Sequence, residues 1–291
     1  MRDFWTILAG IAQERQAVLS EETEPFWDVF SISMTVLGLL VSAVWMCQFG
    51  GFSALGKAPI RRHRMPAGLP MVLLGTWILM LAALSGLLRS PSDNLARSRF
   101  LYLGMAVLEI ILIAVMLTLA YRLFARRLKG FGFDFRTLLK DAGWAGLNLI
   151  GIYPFILAGL WIILRIGRLV NPDFSLEVHE SLQMLTDGSL TLKLLVAGFA
   201  VGVVPIFEEM LFRGFLQTQI RTLTNRPWLA VVITSVIFAI LHPTTHIAAL
   251  FMLSCGLGYA YERSGSLFRP ILMHFLFNGI SVAMTLLMPL A

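Results

Sequence analysis

Charge is scarce in this 291-residue chain: Asp, Glu, Lys and Arg together make up 14% of it, against about 25% in a typical soluble domain. Hydrophobic residues make up 57%, and the mean hydropathy is +0.79. A soluble fold this apolar has too few polar atoms to cover its surface, so the apolar residues must face lipid. Cysteine is nearly absent. Cys47 and Cys255 lie far apart inside apolar runs and form no CxxC pair, so both are expected to be buried structural thiols rather than a disulfide or metal site. There is no HExxH, which excludes two zinc-binding histidines on one helix in the zincin manner. The first 25 residues lack the basic segment and long apolar core of a secretory signal. They mix Phe4, Trp5, Leu8 and Ile11 with acidic residues, which predicts an amphipathic interfacial helix, with a frayed acidic tail as the alternative.

What the chain has instead is a series of apolar runs of spanning length, at about 29–49, 68–88, 100–124, 142–164, 192–216, 228–243, 247–261 and 271–290. The expected fold is therefore all-α, a polytopic transmembrane bundle of about eight spans. The sixth and seventh runs are short and predict a tight hairpin or a partly re-entrant pair. The chain divides into an interfacial segment (1–28), N-terminal membrane helices (29–190) and a C-terminal core (191–291) whose four helices enclose the candidate cavity. The net charge of +6 does not point to nucleic acid, because the basic residues cluster between the apolar runs. Eight fall on one side and fifteen on the other, including Arg61, Arg62, Arg126, Arg127, Arg226 and Arg263. The positive-inside rule places the fifteen in the cytoplasm and both termini outside.

An ionisable group within an apolar span costs about 2.5–3.5 kcal/mol on insertion scales, so each one needs a reason. The fifth span contains Glu208-Glu209-Met210-Leu211-Phe212-Arg213. Adjacent residues point about 100° apart on a helix, so the two glutamates are expected to do different jobs. Glu209 and Arg213 are four apart in the favoured order for an ion pair, which leaves Glu208 to face a proton, a metal or another polar group. The sixth span ends in Phe238-Ala239-Ile240-Leu241-His242, and the eighth opens on His274-Phe275-Leu276-Phe277-Asn278. His274 and Asn278 share one helix face. Such a face on a span turns toward the bundle interior, so Glu208, His242, His274 and Asn278 can meet in one cavity. The set suits hydrolysis. A carboxylate and an imidazole take the proton of an attacking water, while a second imidazole and an amide donate to the oxyanion. Alternatively Glu208, His242 and His274 hold a divalent metal such as zinc with an open water position.

The three motifs EExxxR, FxxxH and HxxxN, in this order on successive spans over about residues 192–290, resemble the CPBP family of type II CAAX prenyl endopeptidases, their bacterial relatives and bacteriocin self-immunity proteins. The resemblance implies an intramembrane endopeptidase in which Glu208 activates water with help from His242. It also implies that His274 and Asn278 form the oxyanion site, with Glu209, Arg213 and Phe238 in support. The family is labelled metalloprotease, but a metal-independent glutamate mechanism is the version that neutral Asn278 favours. Its eukaryotic members act on prenylated CAAX proteins. The partners it implies here are membrane lipids and a membrane-associated protein or peptide, and the expected location is a prokaryotic plasma membrane. The competing function is a catalytically silent scaffold or immunity protein, against which the intact set of four residues argues. A proton-coupled transporter carrying its proton on Glu208 is disfavoured, because no second half bears the motif.

Other polar residues carry smaller expectations. Glu109, midway along the third span, is expected to pair with a polar neighbour or hold a proton, with lining a substrate path as the alternative. Asn148 is expected to hydrogen-bond between helices, His246 to be a loop histidine, with joining the site beside His242 as the alternative, and Gly256 and Gly258 to allow close packing. One mismatch arises at 1.5 Å rise per residue. Glu208 and His242 lie roughly 18–20 Å from their cytoplasmic ends but His274 only about 6 Å beyond Pro270. Their meeting requires tilt, a deeply placed 262–270 loop, or different helix ends.

Overall fold

The computed structural model describes residues 29–56, 58–87, 95–172, 174, 185 and 189–287. The predicted interfacial helix of residues 1–28 and most of the 175–188 connection lie outside the described residues. Within them the chain is helical, with a single isolated antiparallel bridge between His63 and Phe124. The long helices are α1 (Val29–Gln48), α2 (Leu69–Leu87), α3 (Leu95–Leu123), α5 (Leu138–Val170), α6 (Leu190–Thr224), α7 (Pro227–Ile240), α8 (Ile247–Ser264) and α9 (Phe268–Leu287). A one-turn α4 (Arg127–Phe131) precedes α5. Six of these helices are long and apolar enough to cross a membrane. The other two are α7 and α8. At 14 residues, α7 is about 21 Å long against a hydrocarbon thickness of about 30 Å. The expected sixth and seventh spans, α7 and α8, pack on one another as a hairpin, and α8 packs on α5.

The lipid-facing surface is read most easily on α1, where Val29, Ile32, Leu39 and Leu40 are all more than half exposed. Cys47 lies on this exposed helix and Cys255 is only partly covered; both are free thiols. That corrects the expectation of two buried thiols: the first faces outward.

One end of the bundle is tied together by its connections. Arg64 donates from its backbone N–H to Leu123 O and Ala125 to Arg62 O, which clips the α1–α2 connection to the end of α3. Trp228 Nε1 donates to Phe52 O at 2.6 Å, and Arg61 donates to Tyr261 O at 3.1 Å with its guanidinium 3.6 Å from the Tyr261 ring centre. Glu262 is buried between Arg61 and Arg221, each at 4.0 Å, and accepts from Gln217 Nε2 at 3.1 Å. A charge buried this deeply is held by several partners because no single pair offsets its desolvation. The connections around 50–67, 124–137, 225–226 and 265–267 therefore share one face, as the alternating spans require.

The depth mismatch has a simple origin. The start of α9 is buried: Leu267 is 0% exposed, and its N–H donates to Gly132 O just beyond α4. Phe131 caps this region, with its ring so close to Gly214 of α6 that a Cβ there would overlap it. Arg269 is held by two hydrogen bonds, at 3.0 and 2.9 Å, to Asp141 of α5. The 265–268 turn is thus packed into the bundle against the exit of α4, as a deeply placed 262–270 loop would be.

His63 is the pH-sensitive member of this end. Met65 N–H donates to its Nδ1 at 3.2 Å, so the ring hydrogen sits on Nε2, which donates to Thr222 Oγ1 at 2.9 Å. Burial holds the imidazole below its ordinary value. A folded state that binds the proton less well than the unfolded chain gains stability from this group above the unfolded value, about 6.5. It loses that gain as pH falls below it. Protonation at Nδ1 also removes the Met65 bond. The protection factors of residues 58–68, exchange rates corrected for the intrinsic pH dependence, are expected to fall between pH 7.5 and 5.5, and His63→Gln should flatten that dependence. An equal pH response in both proteins would sink this assignment.

Candidate functional site

The polar residues of the C-terminal core are set by an irregular helix. Within α6, Phe199–Val203 is π-helical, Val204–Glu209 is α-helical and Met210–Gln217 is π-helical again. Such wide turns are uncommon and cluster at functional sites. The first has a chemical cause. Pro205 brings no N–H, and in a π register that N–H would have served the carbonyl five residues back, at Ala200. Asn278 Nδ2 of α9 donates to Ala200 O at 2.8 Å in its place. Asn278 is therefore bound to the backbone turn that precedes the two glutamates. Its other amide hydrogen and its carbonyl are additional to that bond.

Glu209 and Arg213 form the expected pair, Oε1 to guanidinium at 2.8 Å, with both side chains 0% exposed. The guanidinium also donates to Ser254 Oγ at 2.7 Å and lies 4.8 Å from the Phe238 ring centre. The sequence offered no signal for Ser254, a lone serine in an apolar run.

The two glutamates are less separate than helical spacing implies. His274 Nδ1 lies 2.9 Å from Glu209 Oε1, and His274 Nε2 lies 3.8 Å from Glu208 Oε2, so one imidazole stands between both carboxylates. His242 approaches from the end of α7, its Nε2 4.0 Å from Glu208 Oε1. Its Nδ1 sits 2.7 Å from Phe238 O, and a carbonyl only accepts, so Nδ1 carries the hydrogen. The Phe238 ring packs at 4.6 Å on His242, 5.1 Å on Phe212 and 6.2 Å on His274. It is the apolar wall behind both imidazoles.

Glu208, His242 and His274 therefore do meet. Both Nε2 atoms face Glu208 at separations too long for a direct hydrogen bond and suited to one bridging water. Glu208 turns a different oxygen to each imidazole. Among the described residues no three His, Cys, Asp or Glu side chains form a metal-holding group. The expectation of a metalloprotease set thus finds no support in the arrangement.

The remaining expected residues fall elsewhere. His246 lies in the 3₁₀ turn Thr244–His246, its Nδ1 3.0 Å from Thr245 Oγ1. Asn148 does not make the expected interhelical bond through its amide nitrogen, which is buried without a partner. Gly256 and Gly258 do permit close packing: a Cβ at the first would lie 3.1 Å from Ile152 and Met273, and at the second 2.7 Å from Gln217 Oε1.

Residues 190–280 match the family model described as type II CAAX prenyl endopeptidase Rce1-like. All four candidate catalytic residues lie inside that segment. Comparison with curated proteins and with solved structures returns no match.

Proposed function

We propose that this chain is a CAAX-type intramembrane endopeptidase, as the match of residues 190–280 to the Rce1-like family model suggests, and that it hydrolyses a peptide bond of a membrane-associated protein or peptide with a water held between Glu208 and the two histidines. The observation that carries this reading is the convergence of both Nε2 atoms on the two oxygens of Glu208, at 4.0 and 3.8 Å, within a helical membrane protein.

The roles follow from the hydrogen positions. His242 keeps its hydrogen on Nδ1, so its Nε2 lone pair orients the water while Glu208 takes the water's proton. The hydroxide oxygen bonds to the substrate carbonyl carbon, and the carbonyl electrons move to oxygen. His274 stabilises that oxyanion only with hydrogen on Nε2, which together with Nδ1–H makes it an imidazolium. Glu209 supplies the counter-charge at 2.9 Å. The second N–H of Asn278 is the further oxyanion donor. Collapse breaks the C–N bond, and Glu208 returns its proton to the leaving amine. A prenylated CAAX-like tail is the substrate that the family suggests. The cytoplasm is the side on which the basic end of the bundle then lies.

The test is peptide cleavage in liposomes, using peptides with and without a farnesylated C-terminal cysteine. Wild type is expected to cut with activity that survives a chelator, while Glu208→Ala and His242→Ala lose at least about 10²-fold. No cleavage of either set, or equal cleavage by the variants, would remove the enzyme reading and favour a silent scaffold.

A further inference from the structure

Ser254 of α8 belongs to none of the three motifs, yet it holds the group that pairs with Glu209. The seam between α6 and α8 repeats at one-turn intervals: Arg213 reaches Ser254, and Gln217, four residues on, donates from Nε2 to Gly258 O at 3.0 Å. Small residues at 254 and 258 let the two helices approach this closely, and Ser254 is 0% exposed. One amino group of Arg213 donates to Ser254 Oγ at 2.7 Å and to Ser254 O at 3.3 Å. The other donates to Glu209 Oε1 at 2.8 Å. A guanidinium and a carboxylate frequently meet through two parallel hydrogen bonds. Here they meet through one. Glu209 Oε2 and Arg213 Nε are both buried without a partner, while Oε1 takes the guanidinium and also lies 2.9 Å from His274 Nδ1.

We infer that Ser254 is a positioning residue: by holding one amino group of Arg213 on α8, it limits the Glu209–Arg213 pair to a single hydrogen bond and keeps the Glu209 charge available to His274. Without Oγ, that amino group retains only the longer bond to Ser254 O. The guanidinium is then free to turn toward the unmet Oε2 and close the two-bonded fork. A carboxylate gripped by both arms is neutralised more fully by Arg213 and shares less of its charge with the imidazole. The inference rests on the proteolytic reading, in which Glu209 balances the charge on His274.

The experiment uses the full chain, in liposomes for cleavage of farnesylated and unfarnesylated peptides and in micelles, with ¹⁵N-labelled histidine, for NMR. Ser254→Ala removes Oγ and leaves the rest of the seam in place. It is expected to lower kcat about tenfold, the effect of one altered buried hydrogen bond, with KM within about twofold of wild type. Ser254→Thr keeps the hydroxyl and should stay within about threefold in kcat. The His274 Nδ1 resonance, assigned by its loss in His274→Gln, is expected to shift in Ser254→Ala toward that of a more weakly hydrogen-bonded ring. A threonine variant that does not fold leaves the resonance of Ser254→Ala to decide. An unmoved resonance, even with a loss of kcat, overturns the inference, as does a shifted resonance with cleavage at the wild-type rate; both leave the enzyme reading intact. A shifted resonance in a protein that cuts no peptide retires the enzyme reading and leaves the hold of Ser254 on the Glu209–His274 contact standing.

Discussion

Arg213→Met lowers folding stability by about 3–5 kcal/mol, the usual cost of removing one partner of a buried ion pair. Arg213 is 0% exposed and is the hub of three helices: it donates to Glu209 within α6 and to Ser254 of α8, and faces Phe238 of α7. Methionine fills much of the volume but leaves the Glu209 carboxylate in the bundle without its guanidinium. The measurement is the shift of the SDS or thermal denaturation midpoint in micelles. Arg213→Met with Glu209→Gln should recover part of the loss, because the double variant no longer buries a carboxylate without its guanidinium. A single variant as stable as wild type would show that this pair is solvated, contrary to its burial.

Glu209→Gln lowers kcat about 10²–10⁴-fold, with Glu208 and both histidines in place. In the proposed mechanism the carboxylate, 2.9 Å from His274 Nδ1, holds hydrogen on that nitrogen and balances the charge of the imidazolium. An amide carries no charge, and if it turns its NH₂ to Nδ1 it selects the other tautomer. Both effects fall on the proposed oxyanion donor, so the expected loss is in kcat rather than KM. Adding His274→Gln to Glu209→Gln should cost little more, since the pair acts as a unit. Activity within threefold of wild type would show that His274 works without Glu209. Scaling rates to folded protein separates this from the loss of the Arg213 contact.

The different fates of the two glutamates were legible in part. A spacing of four fixed the Glu209–Arg213 pair, because side chains four apart stay neighbours even though the helix widens to a π register after Glu209. The meeting of Glu209 with His274 was not legible, since it joins α6 to α9 across 65 positions and depends on how each helix is turned. That turn is influenced by a π segment beginning nine residues before Glu208. Pro205 was visible in the sequence, but its consequence for Ala200 O appears only once Asn278 lies opposite. Asn148 shows the converse: a polar residue in a span raised the expectation of a bond that the neighbouring helix does not make through its amide nitrogen.

By itself the sequence determined that the chain lives in a membrane, since scarcity of charge over long runs has no other stable outcome. It also determined which residues compete for the buried polar places, because each such residue is costly and therefore rare. Only the tertiary structure decided their depth and partners. Leu267 packs against the exit of α4 at the start of α9, and His274 of that helix comes within 3.8 Å of Glu208. Depth and azimuth are set by packing between helices, and packing is a property of pairs of surfaces that no single span encodes.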